Sequence, residues 1–100
     1  MVKHIILWNL KEEYSEAEKT DIKKSIKENL EGLKGQIPGL LNISVQTECF
    51  SSSTADLMLE SEFESFDSLK AYAVHPKHVE VADNFVRPHT ALRSSLDFEA

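Results

Sequence analysis

The groups in this chain that could move protons near neutral pH are concentrated. The stretch "YAVHPKHVEVADNFVRPH", residues 72–89, holds three of the four histidines and one of the two tyrosines. An imidazole changes charge between pH 5 and 8, so it can serve as base, acid or metal ligand. The metal reading takes His75 and His78, spaced H-P-K-H, with His4 and His89 as further donors. Pro76 breaks helical geometry between the first two, and neither H-E-x-x-H nor paired cysteines occur. Glu80 and Asp83 fall on later turns, so no metal site is expected. His75, before a proline, suits a cap or tether of a turn, and His89, after Arg87-Pro88, is expected on a rim. Tyr72, His78 and the distant His4 remain as the set whose chemistry would be proton transfer.

Their positions depend on the elements that carry them. Residues 2–10, "VKHIILWNL", alternate as a strand does, with Val2, His4, Ile6, Trp8 and Leu10 on one face and Lys3, Ile5, Leu7 and Asn9 on the other. Ser15 with Glu18 three residues on reads as a capping box. Ile22, Ile26, Leu30, Leu33 and Ile37 then line one face of a long helix closed by Gly35, Pro38 and Gly39. "LLNISVQTE" predicts a strand burying Leu41, Ile43 and Val45, "CFSSSTA" a polar connection, and "ADLMLESEF" a strand burying Leu57, Leu59 and Phe63. "SFDSLKAYAVH" predicts a helix turning Phe66, Leu69 and Tyr72 inward. Beyond the break at His75-Pro76, a second short helix turns Val79, Ala82, Phe85 and Val86 inward. "TALRSSLDF" is a last strand with Leu92, Leu96 and Phe98 on one side.

This order predicts an α+β, ferredoxin-like (split βαβ) protomer, a single domain over residues 1–100 with a four-stranded antiparallel sheet and its helices on one face. The other face would then expose Ile5, Leu7 and Met58, and a second copy packed sheet against sheet is the economical cover, giving a homodimer. With His4 on the covered face, Tyr72, His78 and His4 could converge in an apolar pocket between sheet and helices, where a buried imidazole must be hydrogen-bonded or line a cavity.

Composition narrows the partners. The apolar fraction of 41% and charged fraction of 28% are those of a soluble globular domain. A net charge of −6 opposes nucleic-acid binding, and no run approaches the ~18 apolar residues of a membrane span. The N-terminus lacks the features of a signal peptide. The lone Cys49 excludes an internal disulfide and fits a cytoplasmic location.

Four stretches, "VKHIILWNLK", "SEAEKTDI", "ESEFESFDSLKAYAVHPKHVEV" and "VRPHTALRSSLDF", together resemble the stress-responsive dimeric alpha/beta-barrel (Dabb) domain family, with "VKH" and "Y-x-x-H-P-x-H" as the most specific signatures. The resemblance spans essentially the whole chain. It implies a protomer that dimerises through its sheet into a dimeric α/β barrel. Many family members are small proteins without an assigned reaction, several of them linked to stress responses. One plant member, olivetolic acid cyclase, closes a poly-β-ketide without a cofactor. Carried over by motif, His78 would be the general base, Tyr72 its orienting partner or hydrogen-bond donor, and His4 a pocket residue. Two departures weaken a polyketide substrate: Leu57 stands where that enzyme has a histidine, and the first helix offers no inward tyrosine.

The expected function is therefore binding of a small, largely apolar organic ligand, with Ile6, Trp8, Leu57, Leu59, His75 and Phe85 as further ligand contacts and no cofactor. Alternatives are a cofactor-independent cyclase or lyase acting on a carbonyl substrate, and a cofactor-free monooxygenase.

Overall fold

The alternation of residues 2–10 becomes strand β1 (Val2–Leu10), which runs down the inside of the sheet. A computed structural model describes residues 1–100. After β1 come α1 (Glu16–Glu31), β2 (Leu40–Gln46), β3 (Leu57–Phe63), α2 (Phe66–Ala73), α3 (Pro76–Val81) and β4 (Thr90–Glu99). The sheet order is β2-β3-β1-β4 and every pairing is antiparallel, which is the ferredoxin-like arrangement. No helix is long and apolar enough to cross a membrane.

Helix α1 starts on the capping box: the Ser15 hydroxyl accepts from the Glu18 N–H while the Glu18 carboxylate accepts from the Ser15 N–H. It ends at Gly32, earlier than the periodicity suggests. Leu33 and Lys34 bond three residues back in tight turns, and Gly35 takes φ 83°. Leu33 and Ile37 still enter the core, from these turns instead of from the helix. Gly39, at φ 82°, lies so close to α2 that a Cβ there would clash with the Ser68 side chain, so glycine suits this approach.

The core lies between α1 and the inward faces of the strands, with Ile26, Leu59 and Phe63 at or near zero exposure. In β2 the buried residues are Leu40, Ile43 and Val45; Leu41 is exposed, against the strict alternation expected. The register with β3 shifts between Leu40 and Asn42, so Leu41 is the extra residue of a bulge and the face pattern changes phase there. Phe66 also departs from expectation. It is 56% exposed at the first turn of α2, beneath the Lys70 ammonium at 5.2 Å.

Between α3 and β4 the chain makes a π turn (Ala82–Val86) and a 3-10 turn (Arg87–His89). The Arg87 N–H donates to the Ala82 carbonyl five residues back. This wider turn changes the helical phase: Ala82 and Val86 are buried, whereas Phe85 faces a shallow groove beside α1, with Glu28, Leu33 and Lys77.

Candidate functional site

Four elements bring polar side chains to the covered face of the sheet. β1 supplies His4, 7% exposed, directly opposite Asp97 of β4. The His4 Nδ1 hydrogen-bonds the Asp97 carboxylate, so that ring position carries the proton. On the other flank the Ser61 hydroxyl donates to the His4 carbonyl at 3.2 Å. His4 is thus fixed from both neighbouring strands.

Helix α2 is capped by Ser65, whose hydroxyl accepts from the Ser68 N–H, and it turns Leu69 and Tyr72 inward at a spacing of three. Tyr72 is 1% exposed. Its ring lies 5.0 Å from that of Phe63, 6.4 Å from that of His4 and 4.1 Å from that of His78. Its hydroxyl is buried and has no hydrogen-bond partner. Burial alone drives its pKa well above the ordinary tyrosine value.

Helix α3 begins at Pro76 because the proline disfavours helical backbone at His75, which is extended. The His75 Nδ1 accepts from the Lys77 N–H at 3.1 Å, which caps the helix. His78 follows in the first turn. Its Nδ1 lies 3.2 Å from the Ala73 carbonyl, which can only accept, so Nδ1 bears the hydrogen and Nε2 keeps its lone pair. Burial holds the His78 pKa below 6.5; the Ala73 bond opposes this, and the charges of Arg87, His4 and Arg93 add to it. The ring is therefore neutral at pH 7.

Two hollows meet at this constellation. One, of about 290 Å³, is walled by His4, Tyr72, His78, Leu69, Arg93 and Asp97 among others. The smaller, about 90 Å³, is walled by Trp8, Leu59, His78, Val86 and Arg93 among others. Ile6, His78 and Arg93 belong to both.

Of the residues singled out from sequence, His4, Tyr72, His78, Ile6, Trp8 and Leu59 stand in these walls. His75, Leu57 and Phe85 do not. His75 is spent on the α3 cap, and the π turn carries Phe85 to the other side of its helix. Leu57 sits in the core near a separate hollow of about 320 Å³ under the β2–β3 connection, with Cys49 and Met58. That hollow lies on the open side of the sheet and holds no histidine or carboxylate. His89 pairs with Tyr14 at 2.9 Å. No three His, Cys, Asp or Glu side chains gather as a ligand set. Sequence reasoning missed Asp97, Arg93 and Arg87. The first two share the parity of β4 opposite to Leu92, Leu96 and Phe98, so the same alternation that placed those leucines also points Arg93 and Asp97 at the helices.

Comparison with known proteins agrees with this architecture. The family described as Stress responsive A/B Barrel Domain matches residues 2–100. A dimeric protein of unknown function and ferredoxin-like fold from Bacteroides fragilis superposes with a TM-score of 0.91 at 32% identity, covering 99% of this chain and 95% of that one. A dimeric ferredoxin-like protein from Thermobifida fusca gives 0.83 at 21% identity, over 99% and 90%. The hydroxynitrile lyase of Passiflora edulis gives 0.75 at 20% identity, over 97% and 90%, a likeness of fold alone. No curated protein matches the chain.

Proposed function

The chain belongs to the stress responsive A/B barrel domain family, and from that membership we propose that it works as a homodimer joined through the open sheet face. Each protomer binds a small, mostly apolar organic molecule bearing a carbonyl group, between the sheet and helices α2 and α3.

The observation that carries the ligand reading is the Tyr72 hydroxyl. A buried donor without a partner costs about 1–3 kcal/mol, so it is a group for which a ligand oxygen is the natural acceptor. The hollow beside it is apolar along Ile6 and Leu69, which suits a hydrocarbon body. The dimer reading rests on Leu92, Leu96 and Phe98, 67%, 61% and 39% exposed on one strand, and on the dimeric descriptions of the two bacterial relatives.

Amide chemical shifts recorded during titration with methyl octanoate test the ligand site. Shifts at Ile6, Leu69, Tyr72 and His78 are expected; shifts confined to the open face of the sheet would contradict it.

The state of His78 favours a second reading, proton transfer at the carbon beside the carbonyl. Its Nε2 lone pair takes the proton, the carbon's electron pair passes into the carbonyl as an enolate, and the Tyr72 O–H donates to the enolate oxygen. His4, held by Asp97, would fix the far wall. A lyase on the same fold is compatible with such chemistry. Hydrogen–deuterium exchange of 2-octanone at C1 and C3 measures it directly. His78→Ala should abolish protein-dependent exchange while leaving the melting temperature nearly unchanged. A large fall in melting temperature with exchange retained would assign His78 a structural role.

A further inference from the structure

The walls of the two hollows are basic in an acidic chain. The net charge is −6, yet Lys70, Arg87 and Arg93 line these cavities against the single carboxylate of Asp97, and that carboxylate is taken up by His4. Two of the three cations are also engaged: Lys70 lies 3.5 Å from Asp67, and Arg87 is hydrogen-bonded to Asp83. Arg93 has neither a carboxylate partner nor a side-chain hydrogen bond, and among the three cations lining these hollows it alone is free.

The sheet places Arg93 with purpose. It lies opposite Trp8, Ser95 lies opposite Ile6, and Asp97 lies opposite His4, so a polar row on β4 runs beside an apolar row on β1. Arg93 stands where the two hollows meet, sharing that position with Ile6 and His78.

We propose that Arg93 binds the carboxylate of a ligand whose apolar body lies along Ile6 and which brings a further carbonyl oxygen to the Tyr72 hydroxyl. This rests on the ligand site proposed above and narrows its occupant to a small carboxylic acid. A guanidinium presents a planar pair of N–H donors that matches a carboxylate in shape and charge. A phosphoryl group carries close to two negative charges and would call for more than one free cation. Only one is free, because Asp83 and Asp67 occupy the others. Local positive potential within a negative molecule also raises the anion concentration at the mouth of the cavity. Arg87 and Arg93 line the smaller hollow together with His78, and their charges add to the effect of burial in keeping that ring neutral.

Trp8, the single tryptophan, lies in the smaller hollow and reports on it. Its fluorescence is followed during titration with octanoate, methyl octanoate and octyl phosphate, for the native chain, Arg93→Gln and Arg93→Lys. Arg93 is solvent-exposed, so its variants keep the fold, and far-ultraviolet circular dichroism confirms that. Octanoate should bind the native protein at least about tenfold more tightly than the ester, as expected for one charge-assisted pair. Arg93→Gln should remove that preference with the ester unaffected, and Arg93→Lys should restore part of it. Equal affinity for acid and ester, or a preference that survives Arg93→Gln, overturns the role of Arg93 and leaves the ligand site standing. Tighter binding of octyl phosphate than of octanoate overturns the carboxylate assignment. No response to any of the three overturns the ligand site and this inference together.

Discussion

The two faces of the sheet are built from the same strands and are deficient in opposite ways. On the covered face, β1 contributes the buried His4, Ile6 and Trp8, and Tyr72 and Arg93 carry donors that the fold does not use. On the open face, β1 contributes Ile5 and Leu7, β3 adds Met58 and β4 adds Leu92, Leu96 and Phe98, an apolar surface that nothing in the protomer covers. Donors left unused at a hollow suit a small molecule, which can bring an acceptor to each. Unpaired apolar area on a broad sheet suits another sheet. Parity along four strands therefore divides one layer into the side proposed to take a ligand and the side proposed to take a second copy.

The largest effect should come from the partner side. Leu96→Asp places a charge in the centre of the proposed interface, at a cost of several kcal/mol in binding and hence more than about a hundredfold in dimer affinity. Sedimentation should then show one chain of 11.3 kDa where the native protein shows two. A native protein already of 11.3 kDa at micromolar concentration would break the comparison.

The core behind the ligand side comes next. Ile26 is fully buried, and Ile26→Ala should cost about 3 kcal/mol in denaturant unfolding. Leu92→Ala, made in the Leu96→Asp background so that no dimer contributes, should cost about 0.5 kcal/mol or less, since Leu92 is 67% exposed. Similar costs would mean that the open face is structural within the protomer.

A smaller effect follows from His78. Its folded pKa is depressed, so between that value and the unfolded value of about 6.5 the unfolded chain binds more protons. Stability is fully present above pH 6.5 and falls as the pH drops through that window. His78→Gln should flatten this slope in thermal melts between pH 7 and pH 5; an unchanged slope would remove His78 as its source.

Much of this division was legible in the sequence. The alternation of β1, the spacing of Ile22, Ile26 and Leu30 along α1 and the break at His75-Pro76 follow from periods of 2 and 3.6 and from proline sterics, and the strand and the break placed His4, Tyr72 and His78 on one face. Two failures arose where a regular period was extended through an irregularity. Leu41 fell on the wrong face because a bulge adds one residue to β2. Phe85 did so because the i→i+5 turn after α3 lengthens the helical repeat. Asp97 and Arg93 were overlooked for a different reason. Their neighbours on β4 are leucines and a phenylalanine, and the apolar half of the alternation drew attention away from the polar half. The open hydroxyl of Tyr72 had no sequence signal, because hydrogen-bond satisfaction depends on the distances among Tyr72, His4 and His78 in the folded chain.

Tyr72→Phe is the most direct test of the central claim, measured on one sample by thermal unfolding and by methyl octanoate titration. The hydroxyl makes no bond in the fold, so its removal should leave the melting temperature unchanged or raise it slightly, while affinity for the ester falls about tenfold. A lower melting temperature with unchanged ester affinity would show that the hydroxyl serves the fold, and would contradict the assignment of this cavity to a ligand.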